Sequence, residues 1–311
     1  MNGAVAGVAG PAVRVRAPGK INLSLAVGRR RDDGYHPLAT VFQAVSLFED
    51  VVATPAPDVR VEVTGPQAHL VPTDGSNLAV RAARLLAEAT GVDDGVHLAI
   101  HKEVPVAGGM AGGSADAAAA LVACDALWGT ALPRTELALL AAELGSDVPF
   151  ALAGGTAVGT GRGHLLSPVL SRGEYHWTVG LAPRGLSTPQ VFATFDEILG
   201  AGALEEPEVD DALLRALLAG DAEAVGAALS NDLEHAALEL APELAETLTV
   251  AQDAGALGVI VSGSGPTVVA LARSAGHAAV LGRALLDARV VADVRHAVGP
   301  VAGARVLARG A

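Results

Sequence analysis

Gly108, Gly109, Gly112 and Gly113 put four glycines within six positions, and Ser114 and an alanine-rich run from Ala115 to Ala120 follow directly. Glycine removes the Cβ atoms that keep an oxyanion away from the main chain. A helix that starts at Ser114 adds unpaired N–H groups and the positive end of its dipole. This is chemistry for phosphate. The bland alternative, a tight turn before a buried helix, needs one or two glycines rather than four. The loop is not one of the common nucleotide signatures. Gly108 and Gly113 have Walker A spacing, but Ser114 stands where a lysine is required. Neither this loop nor Gly263-Ser264-Gly265 supplies the third glycine of G-x-G-x-x-G.

Two side chains suit the movement of a phosphoryl group. Lys20, in Ala17-Pro-Gly-Lys-Ile-Asn22, stands between two extended segments, with Asn22 on its face of the strand. It is either a solvated surface charge or an ammonium aimed into a cleft. Asp147, in Leu144-Gly-Ser-Asp-Val-Pro-Phe150, follows a helix end and taken alone reads as a capping turn residue. Beside Lys20 and a phosphate loop it becomes a candidate to receive or orient the proton of an attacking hydroxyl. General-base help is worth about 10²- to 10⁴-fold, so positioning must carry much of the rate. Lys20 would keep Asp147 ionised and stabilise charge on the moving group.

Tyr35 and His36 pair an aromatic with an imidazole after the Asp33-Gly34 turn, either as packing or to stack on and hydrogen-bond a heteroaromatic ring. Gly263 and Ser264 belong to a second glycine turn, which either cradles phosphate or simply joins two strands. Capping accounts for the polar cluster Asn231-Asp-Leu-Glu234. With no H-E-x-x-H, no G-x-S-x-G and no Cys/His ligand spacing, zinc hydrolysis and serine-esterase chemistry have no support, and no protein metal ligand is assigned.

The elements that must position these residues alternate. Val13 to Ala17 and Ile21 to Gly28 read as two strands, Val41 to Ala53 and Val59 to Val63 as further strands, and Asn77 to Thr90 as a capped amphipathic helix. Val96 to His101 leads into the glycine loop, and helices follow over Ser114 to Trp128 and Arg134 to Leu144. The glycine-dense stretch Gly154 to Gly163 is a strand pair or an interdomain joint. Beyond it come a strand at His176 to Ala182, helices at Pro189 to Leu199, Asp210 to Leu229 and Pro242 to Ala254, strands at Val259 to Ser262 and Thr267 to Ala272, a helix at Ala275 to Ala288 and short final strands. Helices on one face of a small antiparallel sheet satisfy that order, and the class is α+β.

At 311 residues the chain is long for a single core, and two domains are expected. Aromatics are only 3% of residues, so packing rests on small and branched aliphatics. A net charge of −13 argues against a nucleic-acid partner held by counterion release, while a small anion remains compatible because local donors outweigh a screened distant field. Cys124, the only cysteine, excludes an internal disulfide and suits a reducing, cytoplasmic setting. Met1 to Pro11 reads as a loose tail rather than a signal peptide. Ala254 to Ala272 is uncharged, but its glycines and Pro266 make it strand, turn, strand rather than a membrane span.

The loop Pro105 to Ser114 resembles the central phosphate motif of the GHMP kinases. Ala17 to Leu25, Arg30 to Leu38, Val41-Phe-Gln43, Gly145 to Pro149 and Gly263 to Thr267 resemble the branch of that family that acts on a cytidine diphosphate-linked methylerythritol. The resemblance implies ATP-dependent phosphorylation of a 2-hydroxyl in the non-mevalonate route to isoprenoid precursors. The acceptor would be a small molecule, handled by a monomer or homodimer with no nucleic-acid or membrane partner.

It also implies a two-domain fold. Residues 12–165 would form an ATP-binding domain like ribosomal protein S5 domain 2, and 166–309 a ferredoxin-like C-terminal domain. Lys20 and Asp147 match the catalytic pair, and Tyr35, His36 and Phe192 the cytosine site. Asn22, Gly263 and Ser264 would face the acceptor. Asn77, Leu78 and Lys102 fall in the adenine site, and the loop residues Pro105, Val106, Ala107, Gly108, Gly109, Met110, Ala111, Gly112, Gly113 and Ser114 would wrap the ATP phosphates. Mg²⁺ would arrive with ATP. Met110, Ala111 and Ser146 depart from the usual leucine, glycine and alanine. If position 111 needs a positive φ, alanine there costs about 1 kcal/mol. The alternatives are another GHMP small-molecule kinase, of homoserine or mevalonate type, and a silent metabolite sensor.

Overall fold

The computed structural model describes residues 11–200 and 206–310, so the tail reading for Met1 to Pro11 falls almost wholly outside the described residues. In chain order the first half runs β1 (Val13–Val27), β2 (Leu38–Ala56), β3 (Arg60–Thr64), α1 (Leu78–Thr90), β4 (Gly95–His101), α2 (Gly112–Trp128), α3 (Arg134–Leu144), α4 (Val148–Ala153), β5 (Thr156–Gly161) and β6 (Leu165–Pro168). The second half runs β7 (Tyr175–Leu181), α5 (Thr188–Leu199), α6 (Asp211–Ala219), α7 (Ala222–Ala227), β8 (Ser230–Asn231), α8 (Glu234–Leu240), α9 (Leu244–Asp253), β9 (Gly258–Val261), β10 (Val268–Ala272), α10 (Ala275–Ala288), β11 (Asp293–Gly299) and β12 (Arg305–Arg309).

The first sheet has the path β12-β1-β2-β4-β3, and β5 and β6 extend it from β2. β1 is a single strand, not the two that Pro18-Gly19 suggested, because the interruption is absorbed as a register shift against β2. Gly19 has a further use: a Cβ there would stand 3.1 Å from the Val104 methyls and 3.4 Å from the Met110 carbonyl, so the glycine admits the phosphate loop. The second sheet is antiparallel in the order β11-β7-β10-β9, the ferredoxin-like arrangement expected. The two halves interlock, because β12 pairs with β1 and β8 with β1, which returns parts of the C-terminal half to the first sheet.

α2 has no polar face, and Ala115 to Cys124 are buried throughout, so it runs through the core against β1, β2 and α1. Its alanines let the sheet and neighbouring helices approach closely. At its centre a Leu121→Ala truncation costs about 2–5 kcal/mol. Trp177 of the second sheet, fully buried, donates from Nε1 to the Gln43 Oε1 of the first at 3.0 Å, which ties the two cores together.

One helical expectation changes. The single helix over Asp210 to Leu229 is two, because Gly220 takes a left-handed φ of 74° and Asp221 caps the next helix by accepting from the Ala224 amide. The apolar run after Asp147 is the short helix α4, with Pro149 in its first turn. The Gly154 to Gly163 stretch holds one strand rather than a pair: β5 lies within it and pairs with β2 and with β6, which begins beyond it.

Candidate active site

A cavity of about 440 Å³ opens where β1, the loop at 105–113 and the turn at 263–264 face one another. Lys20 and Asn22 line it from β1, and Pro105, Val106, Ala107, Gly108, Gly109, Ala111, Gly112 and Gly113 from the loop. Asn77, Leu78, Lys102, Asp147, Phe192, Gly263 and Ser264 complete the predicted residues on its wall. Met110 is not among the lining residues: its side chain is fully buried in the core, and its carbonyl accepts from the Lys20 amide at 3.1 Å. Ser114, on the first turn of α2, is half-buried and is not among the lining residues.

Alanine occupies two left-handed positions in the loop, Ala107 at φ 53° and Ala111 at φ 58°. Ala111 is the N-cap of α2 and has no side-chain cap, which leaves the first amides of that helix for something else. The second glycine turn joins β9 to β10 and also packs against the loop. A Cβ on Gly109 would collide with the Ser262 carbonyl, and one on Gly263 would stand 3.2 Å from the Lys20 Nζ. The two glycine segments therefore permit main chain to lie on main chain across the two halves.

Lys20 is buried, and its Nζ donates to Asn22 Oδ1 at 2.6 Å and to the Gly109 carbonyl at 2.7 Å. Burial lowers its pKa, and the charge of Asp147 opposes that shift, so the two groups sense one another across the cavity. Asp147 stands at the N-terminus of α4 but makes no capping bond, so capping is not its use. Asn22 is engaged rather than free for a ligand: its Oδ1 takes Lys20, and its Nδ2 donates to Thr40 Oγ1 at 2.8 Å. It orients Lys20. Asn77 likewise caps α1 by accepting from the Ala79 amide while lining the cavity.

Lys102 lines the cavity and is also committed to two buried carboxylates. Its ammonium lies 2.8 Å from both Glu49 Oε1 and Asp116 Oδ2, with all three side chains buried, so its charge is spent inside the protein. Burial, with the charge of Asp116 adding to it, pushes Glu49 up to about 8 against the pull of Lys102. Asp116 rises to about 6 for the same first reason. A Cβ on Gly112 would touch Glu49 Oε1 and Lys102 Nζ at 3.2 Å each, so the cluster lies directly beneath the start of α2.

A second cavity of about 420 Å³ adjoins the first, and Leu38, Asp147, Arg162 and Phe192 line both. Tyr35 and His36 are on the wall of the second. His36 is buried, lies 2.8 Å from Asp196 through Nε2, and stacks on Phe192 with ring centroids 4.9 Å apart. Tyr35 is 53% exposed and is covered on one face by the Arg162 guanidinium, 3.7 Å from its ring centre.

Local sequence patterns missed Arg162, Asp196, Glu49 and Asp116. Gly161-Arg-Gly163, an arginine between two glycines, carried the only signal, and both glycines take positive φ. The Asn231 cluster does more than cap. Asn231 Nδ2 donates at 2.8 Å to the Val261 and Gly263 carbonyls, and Glu234 accepts from the Val261 amide, so together they hold the second glycine turn.

Among the described residues no three His, Cys, Asp or Glu side chains gather to hold a metal, and no helix is long and apolar enough to cross a membrane.

Residues 77–155 match the pattern of the GHMP kinases N terminal domain, and residues 213–291 that of the GHMP kinases C terminal domain. A 4-diphosphocytidyl-2-C-methyl-D-erythritol kinase of Leifsonia xyli subsp. xyli is 55% identical, over 95% of this chain and 99% of that protein. The Kineococcus radiotolerans protein of the same name is 59% identical, over 84% of this chain and 82% of its own. A crystal structure of 4-(cytidine 5'-diphospho)-2C-methyl-D-erythritol kinase is similar at TM-score 0.73 and 34% identity, covering 92% of this chain and 98% of that one. A crystal structure of L. major mevalonate kinase, at TM-score 0.74 but 17% identity over 93% of this chain and 96% of that one, shares the fold.

Proposed function

The chain belongs to the GHMP kinase family, and on that footing we propose that it transfers the γ-phosphoryl group of ATP to the 2-hydroxyl of 4-diphosphocytidyl-2-C-methyl-D-erythritol. The products are the 2-phosphate and ADP, in the non-mevalonate route to isoprenoid precursors. The enzyme works in the cytoplasm on this small molecule, as a monomer or homodimer. One observation carries the proposal: Asp147 lies on the wall shared by a glycine-lined cavity, which also contains Lys20, and a cavity walled by Tyr35, His36 and Phe192. A donor triphosphate fits the first and a pyrimidine ring the second, with the reacting hydroxyl between them.

The main-chain amides at the start of α2 and the loop before it face the triphosphate, helped by the helix dipole. Lys20, fixed by Asn22 and the Gly109 carbonyl, meets the charge that develops on the transferring group. Asp147 accepts or orients the proton of the acceptor hydroxyl as its oxygen bonds to the γ-phosphorus and the bond to the β–γ bridging oxygen breaks, releasing ADP. Lys102 braces the loop from below through Glu49 and Asp116. With Nε2 engaged by Asp196, Nδ1 is the ring nitrogen of His36 left to meet the cytosine, and Phe192 holds the imidazole in place. Mg²⁺ would be brought in on ATP, with phosphate oxygens and water as most of its ligands, and would offset the charge of the triphosphate. Asp147, a carboxylate on the cavity wall, is the side chain that would contribute a ligand from the protein.

A coupled ADP-release assay across acceptor alcohols tests the proposal. The cytidine diphosphate-linked methylerythritol should drive ADP formation while homoserine and mevalonate do not. Turnover of either of those in its place would overturn the assignment.

A further inference from the structure

We propose that Arg162 grips the diphosphate that joins the cytidine to the reacting alcohol, and so sets the preference for a diphosphate-linked acceptor. This rests on the acceptor proposed above. Arg162 projects from the turn between β5 and β6, where Gly161 and Gly163 on either side take φ of 68° and 91°. It lines both cavities, at the wall they share with Asp147. An acceptor whose ring rests by His36 and whose hydroxyl reaches Asp147 must pass its middle along this side chain.

The middle of that acceptor is its charged part. In a chain of net charge −13, a dianionic linker needs a local cation. The second cavity holds two arginines among its lining residues. Arg30 turns its Nε to the Gly34 carbonyl at 3.0 Å, within its own turn. Arg162 makes one side-chain hydrogen bond among the described residues, from Nη2 to Asp33 Oδ2 at 3.2 Å, which leaves most of its five donors for a ligand. Asp33 does not cancel it, because that carboxylate is half-exposed and screened by water.

Stacking on Tyr35 at 3.7 Å fixes the plane of the guanidinium, and Asp33 also accepts from the Tyr35 amide at 2.9 Å. Asp33, Tyr35 and Arg162 thus form one unit across the mouth of the site. A planar fork held in this way suits two phosphate oxygens at once, which an ammonium does not.

Calorimetric titration of CDP, CMP and cytidine into the wild type, Arg162→Gln and Arg162→Lys tests the assignment, with ATP binding as the control for folding. Wild type should bind CDP more tightly than cytidine. Arg162→Gln should lose about 10- to 100-fold on CDP and less than about threefold on cytidine. Arg162→Lys should fall between, because it keeps the charge and loses the fork. Equal losses on CDP and cytidine would overturn the proposal and leave Arg162 as a brace for Tyr35, and unchanged CDP binding would also overturn it. If wild type turns over the CDP-linked alcohol while Arg162→Gln binds CDP normally, this proposal falls and the kinase assignment stands. A wild type that neither binds CDP nor turns over that alcohol removes both.

Discussion

Between Pro105 and Gly113 the donor cavity is walled largely by main chain, whereas beyond Arg162 and Phe192 the acceptor cavity is walled by the side chains of Tyr35, His36, Pro189 and Phe192. The donor wall is also a packing surface. Gly109 lies on the Ser262 carbonyl, and Gly108 beside Thr267, so the loop's shape is part of how the two halves fit. The acceptor wall joins the halves through side chains instead: His36 of the first half meets Asp196 and Phe192 of the second, while Tyr35 stands half in solvent. A backbone site is shared by whatever binds a triphosphate, and a side-chain site can change one residue at a time. On the proposed reading, preference among acceptors belongs to the second cavity.

The largest effect should come where the two walls meet. Asp147→Asn should cut kcat by about 10²- to 10⁴-fold while ATP and CDP binding stay within a few fold, checked by steady-state kinetics and titration. Because the Asp147 charge raises the pKa of Lys20, the same variant should move the basic limb of ATP binding to lower pH. An unmoved limb would separate the two residues.

Gly109→Ala should break the donor half and the packing together. Positive φ and the Ser262 carbonyl make alanine strained there, so ATP affinity should fall by more than about tenfold and unfolding stability by at least about 1–2 kcal/mol in denaturant melts. His36→Ala should instead raise the acceptor KM by about tenfold and leave ATP binding alone. A matching loss of ATP affinity would erase the distinction between the halves.

Smaller effects sharpen the comparison. Ala111→Gly should relieve a left-handed alanine and raise stability by about 0.5–1 kcal/mol in thermal melts, with little change in turnover. Beneath the loop, Glu49 has a folded pKa of about 8 against an ordinary value of 4.5, so the folded state holds the extra proton. Its contribution is fully present below the unfolded value and is lost as pH rises through the folded one. Wild type should therefore lose more thermal stability between pH 6 and 9, chosen as roughly two units below and one above that pKa, than Glu49→Gln does. Parallel losses would show that Glu49 does not titrate in that window.

Local chemistry was legible in the sequence. The glycine loop and the α1, α3 and α10 ranges follow from turn residues and apolar spacing. The pair Lys20 and Asp147 was legible as types in suitable settings, and the fold brings both to one cavity. What the sequence hid is long-range. Nothing local says that β12 returns to β1, that Lys102 is claimed by Glu49 and Asp116, or that Arg162 crosses to Tyr35. Each depends on which distant residue a side chain or strand meets, and periodicity carries no partner. The break at Gly220 was visible as a glycine followed by a capping aspartate, but the apolar spacing on both sides concealed it.

The central claim is spatial, and a crystal structure with a non-hydrolysable ATP analogue and the cytidine diphosphate-linked methylerythritol tests it most directly. The account predicts the γ-phosphate between the glycine loop and Lys20, the 2-hydroxyl at Asp147, and the cytosine beside His36. A triphosphate bound away from Gly108 to Gly113, or a cytosine outside the cavity of Tyr35 and Phe192, would contradict it.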